Sequence, residues 1–165
     1  MEIRKNNWYK FATFNGILLE VQEYSGFGWC YRTKDCSYAE SNGFFTIEDS
    51  DYYLLPIKDI AHTRGFYSYV GCKYKGYKCF VHSYGKNEKK FCVAIPEDLA
   101  LTMGIDGYRW GHETPSMDVP LSDLDEIFRS RKKLGDFIFD VDPIKPIYKD
   151  GKWLIEPDEN GVYVI

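Results

Sequence analysis

The chain has 165 residues, of which 44% are hydrophobic and 28% are charged, and its formal net charge is −4 with a pI near 5.4. This balance is typical of a globular protein that needs no metal to fold, and it excludes the overall basic footprint that nucleic-acid binders show. Aromatic residues make up 18% of the chain, which favours strands and, for Tyr and Trp, a binding surface.

Targeting signals are not found in the sequence. No apolar core of a secretory signal follows residues 1–7, and no run approaches the roughly 18 apolar residues of a membrane span. The cysteines form no C-x-x-C motif, and their number is odd, which favours buried thiols in a reducing compartment: Cys30, Cys36, Cys72, Cys79 and Cys92. We therefore expect a cytoplasmic protein with neither a membrane nor a nucleic acid as its partner.

The first predicted elements form a hairpin within Trp8–Gln22. Asn15 and Gly16 separate two apolar runs, and both residue types tolerate the positive φ that a type I′ turn requires. A related pattern recurs around Gly76, 60 residues later, where aromatic and apolar positions fall on those of the first hairpin.

A second match supports a duplication. Residues 55–60 fall on residues 119–124 at an offset of 64, and Gly43-Phe44 falls on Gly107-Tyr108 at the same offset. Self-similarity at a fixed spacing is typical of repeated supersecondary units, although chance alignment of hairpin glycines is the alternative. We predict one domain, 1–165, with repeats at about 8–62 and 68–135 that pack together, and a four-residue insertion in the second copy.

Helix signals are few. Ser122 can cap a helix over about 123–133, whose apolar spacing is helical and which Gly135 can end. A shorter helix fits between Pro96 and Gly104, while 57–62 fits either a turn or a strand.

The remaining strands complete the predicted fold. Asp150-Gly151 predicts a closing hairpin within about 144–165. The predicted class is α+β, mostly antiparallel β, built from two similar hairpin-based repeats with one main helix.

Catalytic and metal-binding patterns are weak. His62, His82 and His112 form no H-x-x-x-H or H-E-x-x-H motif, and no phosphate loop is present. A cluster of His82 with Cys79 and Cys92 is conceivable, but apolar neighbours indicate a core instead. We predict no catalytic residue, no metal and no cofactor.

Two aromatic and charged loops are the candidate binding residues. They lie at equivalent places in the two repeats, and Tyr, Trp and Arg are the residue types that dominate interface hot spots. Coverage of the sheet by the rings is the alternative. The predicted partner-binding residues are Glu48, Asp49, Asp51, Tyr52, Tyr53, Tyr108, Arg109, Trp110, His112 and Glu113. Unmatched segments, Gly26–Ser41 and Pro96–Met117, are free to specialise.

In general character the chain resembles the bacterial immunity proteins of polymorphic-toxin systems. The resemblance lies in the acidic, aromatic-rich composition, the duplicated hairpins and the late hairpin Tyr148–Leu154, and it carries over no individual site residue. It implies an intracellular inhibitor that binds a cognate protein toxin, such as a nuclease, through an acidic surface. The alternatives are a β module that binds a small molecule or peptide, and a hydrolase that uses His82 or His112 with nearby acids.

Overall fold

The computed structural model describes residues 9–85, 89–105 and 114–156. These residues form mostly antiparallel strands with two short helices, which confirms the predicted α+β class. They divide into two compact units. The N-terminal unit comprises Tyr9–Ser68 and Arg131–Val141, and the C-terminal unit comprises the described residues within 69–130 and 142–156.

The N-terminal unit is a small antiparallel sheet with one helix. Its elements are β1 (Tyr9–Phe14), β2 (Ile17–Tyr24), β3 (Gly28–Thr33), α1 (Cys36–Asn42), β4 (Phe45–Thr46), β5 (Tyr53–Pro56), a 3-10 helix (Ile60–His62) and the first part of β6 (Gly65–Tyr74). The strand order is β6-β1-β2-β3-β5-β4, and each neighbouring pair is antiparallel.

Local sequence explains the first hairpin and α1. Asn15 and Gly16 have φ values of 48° and 81°, so the predicted hairpin turn is confirmed. Helix α1, which the sequence analysis did not predict, begins where the Tyr38 backbone N–H donates to Asp35 Oδ1 at 2.9 Å. It ends at Gly43, whose φ of 74° is the left-handed conformation that closes many helices.

The C-terminal unit contains the remaining strands. Its elements are the second part of β6, β7 (Tyr77–Gly85), β8 (Lys90–Ala94), α2 (Glu97–Thr102), β9 (Ser116–Pro120), a 3-10 helix (Leu121–Asp123), β10 (Leu124–Lys133, of which 124–130 lie in this unit), β11 (Ile144–Lys149) and β12 (Lys152–Trp153). The strand order is β12-β11-β10-β6-β7-β8-β9.

Several finer predictions are confirmed here. Helix α2 begins after Pro96 and is followed by Gly104 with a φ of 70°, as the short helix was predicted to do. Asp150 and Gly151 form the hairpin turn between β11 and β12. The part of the predicted C-terminal extension from 157 onward lies outside the described residues.

The helix predicted over 123–133 is wrong, because this segment is strand β10. A register shift between Ile127 and Phe128 in the pairing with β11 lets both adjacent side chains be buried. Together with buried Leu124, this bulge produces the i, i+3, i+4 apolar spacing of a helix. Ser122 caps no helix, and its hydroxyl lies 3.1 Å from Asp123 Oδ1.

Each unit has its own apolar core. The core of the N-terminal unit consists of Ala12, Val21, Tyr31, Ala39, Phe44, Leu134 and Phe137. The larger core of the C-terminal unit includes Val70, Val81, Phe91, Val93, Ile95, Leu99, Val119, Ile127 and Ile147. In the part of the chain that the structure describes, no helix has the length and apolar character needed to cross a membrane.

Candidate functional site

The predicted binding residues of the N-terminal unit lie in the loop between β4 and β5 and at the start of β5. Glu48, Asp49 and Asp51 are exposed, whereas Tyr52 and Tyr53 are half-buried. The other half of the predicted set lies outside the described residues: Tyr108, Arg109, Trp110, His112 and Glu113. Of the predicted set, the described residues are the acids and tyrosines of the first loop, and these lie together.

Two cations hold Tyr52 in place. Arg32 lies in the neighbouring strand β3, and Lys34 follows the end of that strand. The Arg32 guanidinium carbon lies 4.4 Å from the centre of the Tyr52 ring, and Lys34 Nζ lies 4.8 Å from it. Lys34 Nζ also lies 3.6 Å from the Asp51 carboxylate. Cation–π contacts of this kind fix the position of the ring.

Arg32 is itself fixed by residues of β2. Its Nε donates to Glu20 Oε2 at 3.1 Å, and its Nη1 donates to Gln22 Oε1 at 2.6 Å. Glu20 and Arg32 are direct cross-strand partners, so the ion pair follows from the register of β2 and β3. We call the resulting patch the Tyr52 surface, which consists of Glu20, Gln22, Arg32, Lys34, Asp51 and Tyr52.

The loop that carries the acids has a defined backbone. Asp49 has a positive φ of 62°, and the Tyr52 backbone N–H donates to Ser50 Oγ at 3.1 Å. A hydrogen bond with Cys36 raises the pKa of Tyr53, whose ring packs against the N-terminal core. The tyrosines consequently differ in role, since Tyr53 supports the fold and Tyr52 lies on the surface.

A cavity of about 390 Å³ lies on the C-terminal unit beside β7. Alternation along the strand places Lys78, Phe80 and His82 on one face. The Phe80 and His82 rings meet edge to face with centroids 5.0 Å apart, and Tyr69 lies 5.8 Å from Phe80. The cavity is lined by Lys78, Cys79, Phe80, His82, Ala94, Pro96 and Thr114.

The Cys and His arrangement considered in the sequence analysis is not formed with Cys92. The register of β7 and β8 shifts between Val81 and Ser83, and Cys92 lies opposite Ser83 rather than His82. Burial raises the pKa of the Cys92 thiol, which opposes formation of a nucleophilic thiolate. Within the described residues, no group of three or more His, Cys, Asp or Glu side chains could hold a metal ion.

Cys72 and Cys79 lie opposite each other on β6 and β7, and both are buried. A hydrogen bond between the two thiols raises the pKa of Cys72 and lowers that of Cys79. Their position in the C-terminal core agrees with the predicted buried thiols. Cys36 departs from that prediction because its side chain is exposed.

A smaller groove of about 280 Å³ lies on the N-terminal unit near the 3-10 helix. It is lined by Thr13, His62, Thr63, Arg64, Ile138 and Asp140.

The polar groups of this groove support the backbone. His62 Nδ1 lies 2.9 Å from the Asp59 carboxylate, which also accepts the His62 backbone N–H and so caps the 3-10 helix. Arg64 Nη2 donates to Asp140 at 2.6 Å, and the Thr63 hydroxyl donates to the Asp59 backbone carbonyl. These interactions tie His62, Thr63 and Arg64 to neighbouring acceptors.

The sequence analysis missed Glu20, Arg32 and Lys34. The sequence did contain a signal for the pair of Glu20 and Arg32. Charged residues occupy alternating positions on two predicted strands that a short turn joins, and such a hairpin can place opposite charges across from each other. Comparisons of the chain with protein-family models, curated proteins and solved structures gave no match.

Proposed function

We propose that this chain is a non-catalytic binding protein that neutralises a protein toxin by covering a basic part of the toxin with the Tyr52 surface and the adjoining acidic loop. The observation that carries the proposal is a tyrosine held by two cations next to exposed carboxylates. A nuclease is one kind of toxin with such a basic surface, and the cytoplasm of a bacterium is where we expect the inhibitor to act.

The aromatic part of this surface suits an interface hot spot. Tyr and Arg are enriched among the residues that dominate binding energy. Tyr52 loses little further freedom on binding, because Arg32 and Lys34 already restrict its ring. Less ordering of side chains leaves more of the contact energy as affinity.

The acidic part of this surface suits attraction of a basic partner. The Asp51 side chain is 88% exposed, and Glu48 and Asp49 form no ion pair within the described residues. Such carboxylates accelerate encounter with a cationic surface, and salt weakens the effect. The net charge of −4 acts in the same direction.

The test uses the product of the neighbouring gene as the candidate toxin. Its binding to the full chain is measured by calorimetry at two salt concentrations, and its toxicity is measured in cells that co-express the chain. Tyr52→Ala should weaken binding by about 2 kcal/mol, the size of a hot-spot loss. Asp51→Asn should lower the association rate and reduce its dependence on salt.

The matched control is Glu97→Gln, which removes an exposed carboxylate from α2 in the other unit. This variant should bind as the unchanged chain does. Equal affinity of the Tyr52→Ala variant and the unchanged chain, or no protection of the cells, would count against the proposal.

The duplication expected from the sequence also stays a proposal, and the element order of the two units supports it. The N-terminal unit runs hairpin, third strand, short helix, two strands (β4 and β5) and 3-10 helix before β6. The described part of the C-terminal unit runs hairpin, third strand, short helix, one strand (β9) and 3-10 helix before β10. The glycines that follow the two helices, Gly43 and Gly104, are 61 residues apart. The sequence analysis aligned Gly43 with Gly107 at an offset of 64, so the helix ends do not support that particular match. Pro56 and Pro120, which end β5 and β9, retain the offset of 64.

A further inference from the structure

We propose that the cavity beside Phe80 and His82 is a binding site for a small aromatic carboxylate. The inference is independent of the toxin partner, because the cavity lies on the C-terminal unit and the Tyr52 surface lies on the N-terminal unit.

Glu20 and Phe80 lie at the same distance from the hairpin glycine of their unit but have different cross-strand partners. Glu20 lies four residues after the hairpin glycine Gly16, directly opposite Arg32, and the two side chains form an ion pair. Phe80 lies four residues after Gly76, directly opposite Ala94. Where one unit has a filled, charged cross-strand pair, the other has a ring, a methyl group and an open cavity.

The cavity has a size and shape that suit a small molecule. A volume of about 390 Å³ lies within the range of small-molecule sites, which are mostly apolar with a few polar groups. Ala94 opposite Phe80 leaves room beside the ring, and Pro96 supplies another apolar wall. A ligand with one or two rings matches this space.

Aromatic rings border the cavity. Tyr69, Phe80 and His82 form a row of rings along the cavity side of β6 and β7, with successive centroids 5.8 and 5.0 Å apart. Aromatic rings prefer offset-stacked or edge-to-face neighbours at such distances. A planar ligand ring in the cavity packs against Phe80 and His82 in this kind of geometry.

The cavity also has a charged residue in its lining. Lys78 is the lining residue with a full positive charge, and it forms no ion pair within the described residues. Its cross-strand partner Lys73 is neutralised by Glu126, whose Oε2 lies 2.9 Å from Lys73 Nζ. Lys78 therefore offers an exposed ammonium at the rim, where a ligand carboxylate gains an ion pair.

The experiment titrates the full chain with benzoate and, separately, with the uncharged analogue benzyl alcohol, and follows proton NMR signals of the Phe80 and His82 rings and the Ala94 methyl group. Benzoate should bind with a dissociation constant of about 1 mM or lower. It should bind about three- to fivefold more tightly than benzyl alcohol, the gain expected of an exposed ion pair.

Three variants separate the parts of the proposal. Lys78→Met should abolish the preference for benzoate while retaining binding of benzyl alcohol. Ala94→Leu fills the cavity and should abolish binding of both compounds. Thr114→Trp blocks the cavity from an exposed position and should do the same without a change in the core. The matched control Lys58→Met removes an exposed lysine of the N-terminal unit and should change nothing.

Specific outcomes overturn the proposal. Benzoate shifts that persist in both the Ala94→Leu and Thr114→Trp variants would show that the compound binds elsewhere. Equal affinity for the two compounds, or a preference for benzoate that persists in the Lys78→Met variant, would show that Lys78 does not select a carboxylate ligand. The absence of any shift in the Phe80, His82 and Ala94 signals would remove the site itself.

Discussion

The two units have a similar order of elements but carry different side chains on one sheet face. In the N-terminal unit, β2 and β3 carry a paired Glu20 and Arg32 on this face, and the charges also position Tyr52. In the C-terminal unit, the corresponding positions of β7 and β8 are Phe80 and Ala94, and a cavity lies beside them. The two pairs differ in these side chains and also in backbone register, since β7 and β8 have a register shift between Val81 and Ser83 and β2 and β3 have none.

The features that the units share are those that fix the chain path. Both helices bury an alanine, Ala39 or Ala100, and end in a left-handed glycine. The residue after each glycine then donates its backbone N–H to that alanine, at 3.0 Å from Phe44 and 2.9 Å from Ile105. Shared positions therefore define the scaffold, and both proposed binding sites lie where the two units diverge.

The largest expected effect concerns the two glycines of β6, one in each unit. A Cβ at Gly65 would lie 2.5 Å from the Phe137 ring, and one at Gly71 would lie 2.7 Å from the Phe128 ring. Each Gly→Ala change should lower the free energy of unfolding by about 3 kcal/mol, because both rings are buried. Urea denaturation measures the loss.

Shortening the facing ring supplies the control for this prediction. Phe137→Leu should recover part of the loss in the Gly65→Ala background, and Phe128→Leu should do so for Gly71→Ala, since contacting residues are non-additive. Simple additivity of the two changes in either unit would show that close packing on that ring is not the reason for the glycine.

The helix ends provide a smaller, matched pair. Gly43→Ala and Gly104→Ala each place a side chain in the left-handed conformation, so each should cost about 1 kcal/mol. Thermal unfolding of the two variants tests whether the scaffold role is equal in both units. A loss of stability in one variant and none in the other would show that the two glycines do not have the same role in their units.

The cross-strand ion pair should contribute less. A double-mutant cycle with Glu20→Ala and Arg32→Ala should give a coupling of about 0.5–1 kcal/mol, because the side chains are partly exposed. Added salt should reduce this coupling, whereas the stability change of Phe80→Ala should be independent of salt. A salt-independent coupling for Glu20 and Arg32 would contradict an electrostatic origin.

The smallest expected effect is a pH dependence of stability that arises at the 3-10 helix Ile60–His62. A hydrogen bond from His62 lowers the pKa of Asp59 below its ordinary 3.8, so ionised Asp59 stabilises the fold above that pH. The contribution should fall as the pH drops below about 4, through the lowered pKa of the folded state.

In the Asp59→Asn variant, the free energy of unfolding should fall less steeply as the pH drops below about 4. The other 3-10 helix has no side-chain cap, so Asp123→Asn is the control and should leave this fall unchanged. An equally steep fall for Asp59→Asn and the unchanged chain would exclude the role of Asp59.

The sequence by itself determined the features that depend on a few adjacent residues. The hairpins at Asn15-Gly16 and Asp150-Gly151 could be predicted, because positive φ at two successive positions is a local requirement. The short helix α2 could also be predicted locally, because proline favours the start of a helix and glycine favours the position just after its end.

Tertiary structure decided the features that depend on strand pairing. The bulge at Ile127 and Phe128 turned a helical apolar pattern into strand β10, since burial across a sheet outweighs local propensity. The contacts of Tyr52 with Arg32 and the open space beside Phe80 likewise exist only once the strands are in register. These contacts depend on register, and a one-residue shift in register would turn every side chain of a strand to the other face of the sheet.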